Sequence, residues 1–156
     1  MDSKDDSIQV FIRVKPGESD ESISYSDTEI RLDRHQFAFD KIFNPSTSQA
    51  DIFDAVGHRL LLNTLDGYNG CVFVYGQTGS GKTHTMIGED SGLMQRSFRE
   101  LFIRLNGIEN AECFVTCSYF EIYNEQLLDL LDNKKDKKLS IRQDTKKGIF
   151  VENLSE

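Results

Sequence analysis

The chain has 156 residues, enough for one domain with its own core. Its formal net charge is −8, from 26 acidic and 18 basic side chains. That balance argues against a general nucleic-acid binder, which needs positive charge to neutralise phosphates, although it leaves room for a local basic patch. No apolar run approaches the roughly 18 residues of a membrane span, so no membrane partner is expected. Residues 1–7 open polar and acidic, unlike a signal peptide, and read as a short disordered leader.

Taken in chain order, Ile8-Gln9-Val10-Phe11-Ile12-Arg13-Val14 reads as a first strand, stopped by Pro16-Gly17. Residues 17–29 are rich in Ser, Asp and Glu and read as an exposed connection with at most short edge strands. Phe37-Ala38-Phe39-Asp40 is a short strand. Asn44-Pro45-Ser46-Thr47 supplies turn and N-cap chemistry for a helix reaching about Leu65, with Ile52, Phe53, Val56 and Leu60 on one face.

The most informative segment comes next. Cys71-Val72-Phe73-Val74-Tyr75 is a short apolar run that reads as a buried parallel strand. It is followed by Gly76-Gln77-Thr78-Gly79-Ser80-Gly81-Lys82-Thr83, which satisfies G-x-x-x-x-G-K-[ST] at every fixed position. Thr83 to Met86 would form the first turn of a helix. In such a cradle, backbone N–H groups and the helix N-terminus hold polyphosphate. Lys82 would reach the β- and γ-phosphates, and the Thr83 hydroxyl would sit on Mg²⁺.

Beyond a break at Gly88 to Gly92, Leu93 to Leu105 has helical periodicity. Cys113 to Tyr123 is the strongest later strand, Asn124 to Leu131 suits a short helix, and Asn133 to Lys138 is a charged loop. Leu139-Ser140-Ile141-Arg142 and Gly148-Ile149-Phe150-Val151 read as hairpin arms around a tip at Asp144 to Lys147. The three cysteines, Cys71, Cys113 and Cys117, are sparse and odd in number, which suits a reducing compartment. Cys113 and Cys117 share one face of a strand and read as buried core, since no second Cys/His pair completes a metal site. Strands alternating with helices give an α/β sheet.

The longer neighbourhood of the loop narrows the class. Tyr68 to Tyr75, the phosphate loop and His84-Thr85-Met86 together resemble the kinesin motor domain. Three further blocks agree in order: Ile8 to Pro16, Phe39-Asp40-Lys41-Ile42-Phe43, and Ser118-Tyr119-Phe120-Glu121-Ile122-Tyr123-Asn124-Glu125 with Leu127 to Leu131. The resemblance implies a P-loop NTPase fold with a mixed, mostly parallel sheet flanked by helices, over residues 8–156, truncated to the ATP-binding half. It implies ATP or ADP with Mg²⁺ as ligands, and Arg13, Lys15, Pro16 and His84 flanking the adenine. Lys15 stands where the family usually has Arg, which keeps the charge but loses the planar guanidinium.

It also implies a tubulin contact through the hairpin, with Arg142, Lys146 and Lys147 facing an acidic surface, and a cytoplasmic, microtubule-associated location. On charge pattern alone that hairpin is a solvated surface feature. The family's two switch blocks, Asn-x-x-Ser-Ser-Arg-Ser-His and Asp-x-Ala-Gly-Ser-Glu, do not occur in the 156 residues. The expectation is therefore phosphate binding without competent turnover by this half alone. Its sheet would lack strand neighbours unless the other half of the domain or a second chain supplied them. The alternatives are a non-catalytic nucleotide-binding or interaction module derived from such a motor and, more weakly, another P-loop NTPase with a converged loop.

Overall fold

The computed structural model describes residues 8–17, 23–89, 91–110, 112–132, 138–146 and 148–156. The leader at 1–7, most of the charged loop at 133–138 and Lys147 at the hairpin tip therefore lie outside the described residues. The chain divides into two compact units, one ending at Glu109 and the other running from Asn110 to Glu156.

In the first unit, β1 (Phe11–Arg13) pairs in parallel with β5 (Lys41–Phe43), in the register Phe11↔Lys41, Ile12↔Ile42 and Arg13↔Phe43. Between them in sequence lie β2 (Ile23–Tyr25), β3 (Glu29–Leu32) and β4 (His35–Ala38), which form an antiparallel meander. The single strand expected at Phe37 to Asp40 is thus divided: Phe37 and Ala38 end β4, and Phe39 and Asp40 connect to β5. The reason is pairing, because Glu29↔Ala38 is the last rung of the meander and Lys41 begins a ladder with a different partner.

The first long helix begins one residue later than the turn residues suggest. Ser48 is the N-cap, and its hydroxyl accepts from the Asp51 N–H while the Asp51 carboxylate accepts from the Ser48 N–H, a reciprocal capping box. Asn44 serves the preceding turn, its side-chain oxygen accepting from the Ser46 N–H at 2.9 Å. The helix runs as α1 (Gln49–Ile52), a π-helical turn (Phe53–Gly57) and α2 (His58–Leu65). A Cβ on Gly57 would lie 2.6 Å from the Phe53 ring, so glycine lets that ring fold over the wide turn. Next come α3 (Lys82–Met86) and α4 (Leu93–Asn106). Phe43, Ile52, Phe53 and Leu93 form the buried cluster, with Phe11, Val56, Val72 and Met86 packed on it. This core links β1, β5 and the helices to the two ends of the glycine loop.

The strand expected at Cys71 to Tyr75 has no ladder among the described residues. Its backbone alternates nonetheless: Val72 and Val74 are half-buried, whereas Phe73 is 79% and Tyr75 93% exposed. The sequence encodes an extended, two-sided apolar strand, and no described strand supplies the hydrogen-bonding neighbours that would make it one.

The second unit consists of two hairpins. β6 (Phe120–Tyr123) pairs with β7 (Gln126–Asp129), and β8 (Ser140–Asp144) with β9 (Gly148–Glu152). Only Phe120 to Tyr123 of the long strand expected at Cys113 to Tyr123 is in a ladder. The helix expected at Asn124 to Leu131 is a tight turn followed by β7. Asn124 and Glu125 both have positive φ, 48° and 61°, the two-residue geometry that matches the twist of a hairpin. Cys71, Cys113 and Cys117 are all exposed, which corrects the buried assignment; each lies on an extended segment with no described partner strand. The β8–β9 hairpin forms where the sequence places it. Among the described residues no helix is long and apolar enough to cross a membrane.

Candidate functional site

The glycine loop emerges from the half-buried Val72 and Val74 and enters α3 through Gly81. Gly79 and Gly81 lie in the left-handed region, at φ 80° and 98°, where a side chain costs strain. A Cβ on Gly76 would collide with the Ser80 side chain, so the loop closes tightly at its first glycine. The Lys82 ammonium donates to the Gly76 carbonyl at 2.8 Å and to the Gln77 carbonyl at 2.9 Å, which places the cation in the mouth of the loop. The Thr83 side chain is exposed, and its hydroxyl makes no hydrogen bond among the described residues. The first N–H groups of a helix have no intrahelical acceptor, so α3 begins with open donors beside that cation and hydroxyl. Glycine cradle, ammonium, free donors and free hydroxyl are the donor set that polyphosphate with Mg²⁺ requires.

The end of β1 and the residues just after it are tied to the loop and to α3. The Lys15 ammonium donates to the Gly79 carbonyl at 2.9 Å. Arg13 Nη1 donates to the Thr85 hydroxyl at 3.0 Å and to Gln49 Oε1 at 2.8 Å. Burial pulls the Arg13 guanidinium below its ordinary value, although it stays a cation. Pro16 and the His84 side chain are exposed beside these residues in sequence. Residues 69 positions apart, Lys15 and His84, thus belong to segments brought together by β1–α3 hydrogen bonds.

Sequence reasoning missed Gln49 and Thr85. Gln49 Nε2 donates to the His84 carbonyl at 2.6 Å while its Oε1 receives Arg13. The Thr85 hydroxyl receives Arg13 and donates to the Gly81 carbonyl at 3.1 Å. A lone Gln after a cap and a Thr inside a helix carry no chemical signature; only the fold brings them to Arg13.

On the second unit's hairpin, Arg142 Nε forms an ion pair with Glu152 Oε2 at 3.0 Å, across the β8–β9 ladder. The Lys146 N–H donates to Asp144 Oδ1 at 2.7 Å, which shapes the tip and leaves its ammonium exposed.

A family model described as the kinesin motor domain matches residues 1–156. Among curated relatives, Kinesin-like protein KIN-12B of Arabidopsis thaliana is 42% identical over 97% of the chain. Kinesin-like protein KIF15 of Strongylocentrotus purpuratus is 38% identical over 99% of it. The chain spans only 13% and 12% of those two proteins. A solved structure of a fast kinesin, described for its ATPase mechanism and interactions with microtubules, superposes with a TM-score of 0.82 at 31% identity. That superposition covers 96% of this chain and 47% of the matched one.

Proposed function

Because the chain belongs to the kinesin motor-domain family, we propose that residues 8–156 form the nucleotide-binding half of a microtubule-stimulated ATPase that couples hydrolysis to movement. The observation that carries this reading is the loop itself: Lys82 in its mouth, glycines at left-handed φ, Lys15 bonded to it, and Arg13 bonded to Thr85 in the helix that follows. Mg-ATP or Mg-ADP would be held at Gly76 to Thr83. Lys82 would exchange two loop carbonyls for β- and γ-phosphate oxygens, and Thr83 would ligate Mg²⁺. Bound ATP supplies the reactive γ-phosphoryl group. Arg13, Lys15, Pro16 and His84 would flank the base, with Lys15 weakened as a base contact because it already serves Gly79.

Residues 1–156 contain neither switch block, so they grip phosphate without the groups that orient water and sense the γ-phosphate. The unpaired Cys71–Tyr75 segment is a place for strands from the rest of such a domain, or from a second chain. The partner of the β8–β9 hairpin would be tubulin, met by Arg142, Lys146 and Lys147, and the location cytoplasmic and cytoskeletal. Arg142 already has a counter-ion in Glu152, so Lys146 and Lys147 would carry more of that attraction. No nucleic-acid or membrane partner is proposed.

Calorimetry of Mg-ATP binding to the folded chain tests the site. Lys82→Ala should weaken binding by about 1.5–3 kcal/mol, the loss of a charge-assisted contact. Equal affinity for both proteins would remove the assignment.

A further inference from the structure

One side-chain amide joins the two residues proposed to flank the base. Gln49 opens α1, immediately after its Ser48 cap, and is half-buried. Its Oε1 receives Arg13 Nη1 at 2.8 Å, and its Nε2 donates to the His84 carbonyl at 2.6 Å. A Cβ on Gly88 would collide with both the Gln49 amide and the His84 carbonyl, so the glycine at the end of α3 leaves room for this contact. The same guanidinium continues to the Thr85 hydroxyl and from there to the Gly81 carbonyl. The hydrogen bonds therefore link α1, β1 and the first turn of α3.

We propose that Gln49 is a positioning residue for base recognition, its amide fixing Arg13 and the backbone of His84 at one distance from each other. The proposal rests on the nucleotide reading above and adds a division of labour to it. Lys82 and Thr83 would hold phosphates without help from Gln49. Arg13 and His84 would meet the base only if α1 holds them. An amide suits the position because it accepts on one side and donates on the other. A carboxylate keeps the first bond and faces a carbonyl oxygen with the second.

The test compares Mg-ATP with Mg-tripolyphosphate, which shares the phosphates and has no base. Both are titrated calorimetrically into the full 156-residue chain, with thermal midpoints recorded in parallel. Gln49→Met should lose about tenfold in ATP affinity, the scale of one or two hydrogen bonds, and about twofold or less for tripolyphosphate. Gln49→Glu should fall between the wild type and Gln49→Met. In an Arg13→Met, His84→Ala background, adding Gln49→Met should change ATP affinity by about twofold at most, because the guanidinium and imidazole it positions are gone. Equal losses for both ligands, or no loss for ATP, would overturn the proposal. Unfolding of both single variants would overturn it too, since the amide would then serve the framework alone. Wild-type protein that binds neither ligand would instead overturn the nucleotide reading beneath it.

Discussion

The two units order their apolar strands by different means. The first gathers Phe43, Ile52, Phe53 and Leu93 from a strand and two helical segments into one buried cluster, and its glycine loop is mounted on that cluster through Val72 and Met86. Among the described residues the second unit gathers no such cluster: Leu139 is buried, but Ile122, Tyr123, Ile141 and Ile149 are all exposed, and its order comes from ladder hydrogen bonds and turn chemistry. A nucleotide loop needs fixed geometry, which close packing provides; a surface hairpin needs only its register.

The sharpest way to break this contrast is a pair of truncations. Phe53→Ala should cost about 3–5 kcal/mol, as buried aromatics do, whereas Ile149→Ala, at a side chain 76% exposed, should cost about 0.5 kcal/mol or less. The chain has no tryptophan, so urea unfolding followed by circular dichroism, with amide exchange to localise the loss, is the suitable measurement. Similar costs at both sites would show that the units share one core.

A smaller effect isolates backbone from packing. A Cβ on Gly81 would meet no atom within 4 Å, yet its φ is 98°. Gly81→Ala should therefore cost about 1–2 kcal/mol through conformation alone and weaken ATP binding with it. Unchanged stability would mean that the loop relaxes freely.

Each unit also carries one carboxylate held below its ordinary range, the exposed Asp51 in the first and the half-buried Asp129 in the second. For Asp51 the cause is the Ser48 hydroxyl, then the Ser48 N–H. For Asp129 it is first the Ser155 N–H, then those of Leu131 and Asp132. A depressed folded pKa stabilises above the unfolded value of about 3.9, and that contribution disappears as pH falls through the folded value. Carboxyl titration by NMR should find both midpoints below about 3.9. Asp51→Asn should flatten the acid limb of first-unit stability, and Asp129→Asn that of the second. Crossed effects would contradict the division.

Least of all should come from Arg142→Ala. Its pair with Glu152 is more than one-third exposed on both sides, so removal should cost about 0–1 kcal/mol and vanish in high salt. A large, salt-resistant loss would give the hairpin an energetic role that its exposure denies.

The sequence by itself determined the features that depend on near neighbours. The phosphate loop, α4 and the β8–β9 hairpin rest on local glycine, periodicity and turn signals, and they form where those signals lie. The blocks around them were enough to point to the kinesin motor family, which the family model and relatives bear out. Local signals also misled. Cys71–Tyr75 and Cys113–Ser118 read as buried strands, but a strand is a property of two segments, and no partner strand is present among the described residues. At Asn124–Glu125 helical propensity yielded to a left-handed turn because the β6–β7 ladder outweighs it. Only the tertiary structure decided that Gln49 joins Arg13 to His84 and that Lys15 reaches Gly79. Those contacts span 35 to 64 positions, and a hydrogen bond between such distant polar groups leaves no periodicity or motif to read; it exists because packing brings β1, α1 and α3 together.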